Sequence, residues 1–295
     1  MPQPVTRGNE PMPQRGIDKA RVRASFERAV PGYDQHAVLQ KEVGERLLER
    51  LDYVRLQPRV VVDVGAGTGL QTALLAKRYR GARIVALDLA HAMLVHARRR
   101  GAWLRKPGCV VGDAERLPLA DASCDLLFSN LALQWVGDLD LALQELRRVL
   151  RPGGLLMFTT LGPDTLRELR ECWSRVDGYT HVSTFEDMHD VGDALVRARF
   201  AEPVMDAERL TMTYTDLRGL MRDLKGIGAH NATGGRARGL TGRRRMQAVT
   251  DAYEGFRRDG VLPATYEVVY GHAWAPQSSQ QVSLDALRGG RGDGN

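Results

Sequence analysis

Glycines at alternate positions mark the segment of this chain best suited to bind a ligand. Gly65, Gly67 and Gly69 follow Asp63 in the run Asp-Val-Gly-Ala-Gly-Thr-Gly. Because glycine has no Cβ, such a turn bends tightly and lets a ligand approach the backbone. A dinucleotide-binding fingerprint would place its third glycine at position 70, which is Leu70 here. The spacing therefore disfavours NAD and leaves the ligand open.

Polar side chains stand at the predicted ends of the next three strands. Asp88 ends the second strand, where a carboxylate can accept hydrogen bonds from both hydroxyls of a ribose. Asp113 and Ala114 follow the third strand, and the acid is placed to accept an adenine amino group. Asn130 and Trp135 follow the fourth, at the edge where doubly wound sheets bind ligands, although Trp135 is equally consistent with a core position. Together these residues predict a nucleoside cofactor site.

Short apolar runs that alternate with helical segments must position these side chains. The runs predict strands at residues 59–64, 83–88, 109–111, 124–129 and 155–160. A helix before the last strand is expected to stop at Pro152-Gly153-Gly154. This alternation indicates a mainly parallel sheet covered on both faces, and the β-rich runs 203–214 and 264–275 add an antiparallel pair at its edge. The predicted fold class is α/β, with a doubly wound sheet of seven strands.

Composition limits the class of protein. The chain has 295 residues, of which 43% are hydrophobic and 26% charged, so a disordered or fibrous protein is excluded. It has no run of roughly 18 apolar residues and no secretion signal at its start, which predicts a cytoplasmic protein without a membrane partner. Three cysteines without metal-site spacing predict neither a disulfide framework nor a metal site.

Positive charge is concentrated in one segment. The net charge is +6, and residues 218–245 contain eight basic side chains against one acid, Asp223. A local positive field of this kind favours an acidic partner. The alternative, a solvated arginine-rich face, stays open from the sequence.

The order of the ligand-binding motifs resembles the class I methyltransferases that use S-adenosylmethionine. In that superfamily an Asp-x-Gly-x-Gly-x-Gly turn, a ribose-binding acid and an Asp-Ala pair follow one another as they do here. The resemblance implies a Rossmann-like fold and S-adenosylmethionine as the cofactor. The residues it assigns to cofactor binding are Asp63, Gly65, Gly67, Gly69, Asp88, Asp113, Ala114 and Asn130. Of these, the three glycines would face the methionine part, Asp88 the ribose, and Asp113 with the Ala114 backbone the adenine.

Segments outside the cofactor half resemble a narrower family, the malonyl-acyl-carrier-protein O-methyltransferases of biotin synthesis. The similar segments are residues 25–29, 33–34, 162–166, 187–195, 223–231, 240–245 and 262–267. The resemblance as a whole covers nearly everything from about 18 to 276, and the segment around Lys225 is the most specific to the family. The long proline-rich start is the one departure.

A division of the chain follows from these patterns and the resemblance. Its parts are a disordered tail at 1–16, a helical cap at 17–55, the S-adenosylmethionine-binding core at 56–162, acceptor-side helices and edge strands at 163–276, and a disordered tail at 277–295. We expect the last two ordered parts to form one domain.

The resemblance implies methyl transfer to the free carboxylate of a malonyl thioester, carried by an acyl carrier protein or by coenzyme A. Such a carboxylate is ionised near pH 7, so the reaction needs alignment and a dry pocket more than a strong base. A cation must still steer the carboxylate. The candidates are Lys225, Arg222 and Arg197, with Tyr33 and His230 as hydrogen-bond donors. Each has a structural alternative, such as a surface cation for Arg197, a helix-end cation for Lys225 and packing for Tyr33.

Two other functions stay open from the sequence. A small-molecule C- or O-methyltransferase would have the same cofactor half, and an assembly or protein-modifying factor could keep the cofactor site without methylating malonyl thioesters. The fourth strand lacks the Asn-Pro-Pro-Tyr or Asp-Pro-Pro-Tyr box of nucleic-acid amino methylation, so no nucleic-acid partner is predicted. The segment around Lys225 favours the malonyl acceptor.

Overall fold

The computed structural model describes residues 16–100, 106–229 and 242–277. The predicted tails lie outside these ranges, apart from Gly16 and Gln277, and so do His230, Arg236 and Arg238. No helix of the described ranges is long and apolar enough to cross a membrane.

A seven-stranded sheet organises the described part of the chain, in the order β3-β2-β1-β4-β5-β7-β6. Its strands are β1 (Val60–Val64), β2 (Arg83–Asp88), β3 (Gly108–Val111), β4 (Cys124–Ser129), β5 (Leu150–Leu161), β6 (Ala201–Tyr214) and β7 (Leu262–Trp274). The first five strands are parallel, whereas β7 runs antiparallel between β5 and β6. The predicted α/β fold with an antiparallel edge pair is confirmed. The strand order reverses between β1 and β4, which is where such sheets form a ligand crevice.

Ten helices of the described residues accompany the sheet. They are α1 (Lys19–Ala29), α2 (Tyr33–His36), α3 (Val38–Arg50), α4 (Leu70–Arg78), α5 (His91–Arg100), α6 (Leu139–Val149), α7 (Arg167–Ser174), α8 (Met188–Arg197), α9 (Leu217–Gly226) and α10 (Arg243–Glu254). Asp18 caps α1 by accepting a hydrogen bond from the Arg21 N–H at 3.0 Å. Three α-helices, α1, α2 and α3, precede β1 within the described residues. Ala37, at φ −84° and ψ 41°, leaves the helical conformation and separates α2 from α3.

The strand β5 begins earlier than its sequence indicates. The expected stop at Pro152-Gly153-Gly154 is wrong, because α6 ends at Val149 and the strand starts directly at Leu150. The pairing with β4 shifts register in this stretch, and the Gly153 N–H donates to the carbonyl of Ala275 at 2.8 Å. Proline and glycine are tolerated in a strand at such an irregularity.

Helices pack on both faces of the sheet, where alternate residues of each strand point to opposite sides. One hydrophobic cluster contains Val61 and Leu126 with side chains of α3, α7 and α10. The other contains Val62 and Leu127 with side chains of α6 and α8. These two clusters fix the positions of the parallel strands and of the loops at their carboxyl ends.

Candidate functional site

A cleft of about 100 Å³ opens at the carboxyl ends of β1, β2, β3 and β4. The predicted cofactor residues in its wall are Gly65, Gly67, Asp88, Asp113, Ala114 and Asn130. Lys19, Phe26 and Tyr33 from the amino-terminal helices also line it. We call this space the glycine cleft. It brings together side chains that are spread over more than a hundred positions of the sequence.

Asp88 ends β2 and contacts the glycine turn directly. Its Oδ2 accepts a hydrogen bond from the Gly67 N–H at 2.8 Å, and its Oδ1 accepts one from the Ala90 N–H at 2.7 Å. Each carboxylate oxygen has a further lone pair, so both can accept another hydrogen bond. Loss of solvation raises the pKa of Asp88, and backbone hydrogen bonds from Ala90, Gly67 and Leu89 oppose the rise.

Asp63 and Gly69 do not line the glycine cleft. Asp63 is buried in β1 and accepts a hydrogen bond from Thr72 Oγ1 at 2.5 Å. Burial raises the pKa of Asp63 to about 7, although the hydrogen bond from Thr72 opposes it. Gly69 precedes α4, and a Cβ there would lie 2.6 Å from the Cα of Ala97. The described contacts of these two residues support the shape of the turn, and their predicted contact with a ligand stays a prediction.

Lys19, on α1, pairs with two acids that follow β3. Its Nζ lies 2.7 Å from Asp113 Oδ1 and 2.8 Å from Glu115 Oε1. Asp113 Oδ1 also accepts a hydrogen bond from the Glu115 N–H at 3.1 Å. Within the described ranges Asp113 Oδ2 has no hydrogen-bond donor, so it is available to a ligand.

Asn130 connects the cleft to the elements around it. Its Nδ2 donates to the carbonyl of Gln40 at 2.8 Å, and its Oδ1 accepts from Thr159 Oγ1 at 2.8 Å. Thr159 lies on β5 and Gln40 on α3. The Asn130 side chain is thus fixed on both sides, as a residue at a binding edge should be.

A larger cavity of about 380 Å³ adjoins the glycine cleft. Aromatic rings from six different segments line it, namely Phe26, Tyr33, Trp135, Trp173, His181, Phe185 and Tyr266. We call it the aromatic cavity. Phe26, Tyr33, Leu131 and Trp135 line both spaces, so the cleft and the cavity share a wall.

Tyr33 lies at the junction of these spaces. A Cβ on Gly67 would be 3.9 Å from the Tyr33 Oη, so the phenol faces the glycine turn. Burial, followed by the charges of Asp88 and Asp34, raises the pKa of Tyr33 well above its usual value. The phenol therefore stays protonated near neutral pH and can donate a hydrogen bond, but it cannot serve as a base.

Asp34 clamps the amino-terminal helices to the glycine turn. Its Oδ1 accepts a hydrogen bond from Thr68 Oγ1 at 2.6 Å, and its Oδ2 pairs with Arg100 at the end of α5. Arg100 Nε also donates to the carbonyl of Thr68 at 3.1 Å. This network holds Tyr33 in place, since Tyr33 is the adjacent residue.

The three predicted cations have different surroundings. Lys225, in the last turn of α9, lines the aromatic cavity. Arg222 is on the same helix but is exposed and does not line it. Arg197 lies on α8, where its Nε and Nη2 bind the two oxygens of Asp140 at 2.8 and 3.1 Å. The structure therefore places Lys225 in the wall of the cavity, whereas Arg222 and Arg197 do not line it, and the catalytic role of each cation stays a prediction.

The sequence left Trp135 open between the ligand-binding edge and the core, and it did not single out Phe26 or His181 as wall residues. Phe26 and Trp135 form an edge-to-face pair with ring centroids 5.4 Å apart, which places Trp135 in the wall of both spaces. His181 lies in the loop between α7 and α8 and stacks on Trp173. The signal that could have identified His181 is the acid four positions before it, Asp177.

Comparison with known proteins decides the family. Residues 62–158 match the methyltransferase domain family. A malonyl-[acyl-carrier protein] O-methyltransferase from Laribacter hongkongensis is 54% identical over 91% of this chain and 93% of its own. The protein of that name from Methylovorus sp. is 56% identical over 89% of this chain and 90% of its own. This chain belongs to the malonyl-[acyl-carrier protein] O-methyltransferase family. Its members in Xylella fastidiosa and Legionella pneumophila are 49% and 42% identical to it.

Solved structures of more distant proteins share the fold of this malonyl-[acyl-carrier protein] O-methyltransferase family member. Phosphoethanolamine N-methyltransferase 2 from Haemonchus contortus, in complex with phosphomonomethylethanolamine and S-adenosylhomocysteine, aligns with a TM-score of 0.55 and 17% identity. The alignment covers 87% of this chain and 60% of that one. The YcgJ protein of Bacillus subtilis aligns with a TM-score of 0.56 and 16% identity, over 79% of this chain and 99% of its own. The class I methyltransferase fold is thereby confirmed.

Proposed function

We propose that this chain transfers a methyl group from S-adenosylmethionine to the free carboxylate of malonyl-acyl carrier protein. The observation that carries the proposal is the shared wall between the glycine cleft and the aromatic cavity, with Tyr33 at the junction. A cofactor in the first space and an acyl group in the second would meet at this wall. The names of the relatives support malonyl-acyl carrier protein as the acceptor.

The residues of the glycine cleft fit S-adenosylmethionine, which when bound supplies an electrophilic methyl group on a sulfonium. Asp88 would accept hydrogen bonds from the ribose hydroxyls, and Asp113 Oδ2 would accept one from the adenine amino group. Beyond Gly65 and Gly67 the space continues into a polar recess of about 230 Å³, lined also by Asn130. This recess suits the charged methionine part, because its walls offer polar side chains.

The acceptor needs to be oriented, not deprotonated. A malonyl carboxylate is ionised near pH 7, since ordinary carboxyl groups have pKa values near 4. Tyr33 would donate a hydrogen bond at the junction, and Lys225 would attract the anion into the aromatic cavity. Holding the reacting atoms in line accounts for much of the rate enhancement in a transfer of this kind.

Exclusion of water is the second contribution of the cavity. Trp135, Trp173 and Phe185 give it mainly apolar walls. An anion and a cation that react lose charge in the transition state, and water would stabilise the separated charges more than the transition state. A dry cavity therefore favours methyl transfer.

A carrier protein would approach along the basic amino-terminal turn of α10. Arg243 and Arg244 are exposed there, and Met246, which follows closely, lines the aromatic cavity. An acidic protein attracted by these arginines would bring its thioester arm to the mouth of the cavity. This surface is where we propose that the carrier protein docks.

The test is mass spectrometry of the acceptor. The purified chain is incubated with S-adenosylmethionine and malonyl-acyl carrier protein, and we expect the carrier to gain one methyl group on the distal carboxylate. Acetyl-acyl carrier protein, which lacks that carboxylate, is the matched control and should gain nothing. An unchanged malonyl carrier contradicts the proposal. Restored growth of a biotin-requiring host without its own enzyme would support the place of the reaction in biotin synthesis.

A further inference from the structure

The ionisable side chains of the aromatic cavity can supply positive charge but no carboxylate. Among the described residues that line it, Lys225 and His181 can be cations, and none is an aspartate or a glutamate. Lys225 is exposed, so solvent screens its charge, whereas the His181 side chain is 13% exposed. A charge on His181 would therefore act more strongly on an anion inside the cavity.

Two neighbours fix the His181 ring. It stacks on Trp173 with centroids 3.6 Å apart and planes 8° from parallel. Its Nε2 lies 2.8 Å from Asp177 Oδ1. The loop after it is held by Arg170, whose Nη2 donates to the carbonyl of Ser183 at 3.4 Å. In the part of the chain that the structure describes, Nδ1 of His181 has no hydrogen-bond partner, so it is available to a ligand.

Asp177 is shared between two basic groups. Its Oδ1 meets His181, and its Oδ2 lies 3.6 Å from Nη1 of Arg245 on α10. Although burial acts against it, hydrogen bonds from the Tyr179 N–H and from His181 hold the pKa of Asp177 below its usual range. Asp177 carries one negative charge, whereas Arg245 and a protonated His181 would together carry two positive charges. A second carboxylate would neutralise this group of charges.

We propose that protonated His181 binds the free carboxylate of the malonyl group and holds it for methyl transfer. The inference rests on the proposed function and adds the residue that recognises the charge of the acceptor. One carboxylate oxygen accepts the hydrogen bond from Nδ1. The other donates an electron pair to the methyl carbon as the carbon–sulfur bond breaks onto sulfur, and no proton is transferred.

Asp177 and Trp173 are positioning residues in this arrangement. The carboxylate of Asp177 orients the imidazole through its contact with Nε2. Trp173 fixes the plane of the ring, so that Nδ1 keeps one direction. Lys225 attracts the anion from solvent, while His181 holds it within the wall.

The test compares two carrier proteins that differ only in the distal carboxylate. Binding of malonyl- and acetyl-acyl carrier protein is measured by calorimetry in the presence of S-adenosylhomocysteine, so that no turnover occurs. We expect the wild-type chain to prefer the malonyl form. In His181→Gln the malonyl affinity should fall about tenfold or more, because a charged hydrogen bond is lost, while the acetyl affinity should stay unchanged.

His189→Gln is the matched control. His189 makes the same kind of contact with Asp187, at 2.8 Å, but its side chain is 85% exposed on α8. The His189→Gln variant should bind malonyl- and acetyl-acyl carrier protein with the affinities of the wild-type chain. Equal losses for both carriers in His181→Gln would assign the residue a purely structural role and overturn the inference, as would an unchanged malonyl affinity. In both cases a wild-type chain that still methylates malonyl-acyl carrier protein would leave the proposed function intact.

Discussion

His36 Nδ1 lies 2.8 Å from Asp223 Oδ1, and this contact ties α2 to α9. Tyr33 stands on the first of these helices and Lys225 on the second, so one contact holds two candidate acceptor residues together although they are far apart in the sequence. Gly226 packs against the His36 ring so closely that a Cβ would overlap it. The approach of the two helices therefore depends on the small size of Gly226.

We expect Gly226→Ala to displace α9 from α2 and to lower turnover of malonyl-acyl carrier protein, because Lys225 would move with its helix. Cofactor affinity should change little, since the glycine cleft does not include α9. Gly192→Ala, in the middle of α8, adds a methyl group at an ordinary contact distance, 3.8 Å from Met205, and is the control. Steady-state kinetics would measure turnover and calorimetry would measure cofactor affinity in both variants. Equal turnover in Gly226→Ala and Gly192→Ala would contradict the prediction.

Asp88→Ala should weaken S-adenosylmethionine binding about tenfold to a hundredfold, because hydrogen bonds to a charged acceptor are lost. Calorimetric titration measures the dissociation constant. Asp193→Ala removes an exposed carboxylate on α8 and should bind the cofactor normally. An unchanged constant in Asp88→Ala would remove this residue from the proposed site.

Lys225→Ala should reduce kcat/KM for malonyl-acyl carrier protein by about tenfold, whereas Arg222→Ala should reduce it much less. Both side chains are exposed cations on α9, but Lys225 alone of the two lines the aromatic cavity. The sequence predicts a role for each. Similar losses in both variants would show that general positive charge matters and not the position of Lys225.

Charge reversal at Arg243 and Arg244, both to glutamate, should raise the KM for malonyl-acyl carrier protein and leave kcat nearly unchanged. Steering by surface charge acts on association and weakens with salt, because the Debye length is about 8 Å at physiological ionic strength. The KM for malonyl-coenzyme A should rise less. The control reverses Arg98 and Arg99, two exposed arginines on α5. If the control raised the KM equally, the docking surface would be misplaced.

Asp63 predicts a pH dependence of stability. Its pKa is about 7 in the folded chain against an ordinary value of 3.8, so the folded state binds the extra proton between these values. Stability from this group is therefore present at low pH and is lost as the pH rises through that window. In Asp63→Asn the side chain at this position does not titrate. The Tm of the variant minus that of the wild type should therefore increase by several degrees between pH 5 and pH 8. A Tm difference that does not vary with pH would contradict the burial of a charge at Asp63.

Features that depend on neighbouring residues were predicted from the sequence, whereas contacts between residues far apart in the sequence were missed. The turn at Gly65, Gly67 and Asp88 was recognisable because its chemistry depends on residue types at the ends of predicted strands. The ion pair of Arg197 could not be predicted from the sequence, because its partner Asp140 lies 57 positions away on another helix. Long-range pairing of this kind leaves no periodic pattern.

His181 was missed for a related reason. It lies in a loop, where neither helical nor strand periodicity marks a buried face, and its stacking partner Trp173 belongs to α7. The start of β5 was misplaced because proline and glycine predict a turn, whereas pairing with β4 and the contact of Gly153 with Ala275 keep this stretch in the sheet.

Most residues that line the aromatic cavity lie outside the segment that matches the methyltransferase domain family. Of the 23 described residues that line it, three, Leu131, Gln134 and Trp135, lie within the segment 62–158 that matches the methyltransferase domain family. The others come from the helices before that segment and from the elements after it. Mutations in these flanking segments can therefore change the methyl acceptor during evolution. The cofactor-binding core need not change at the same time.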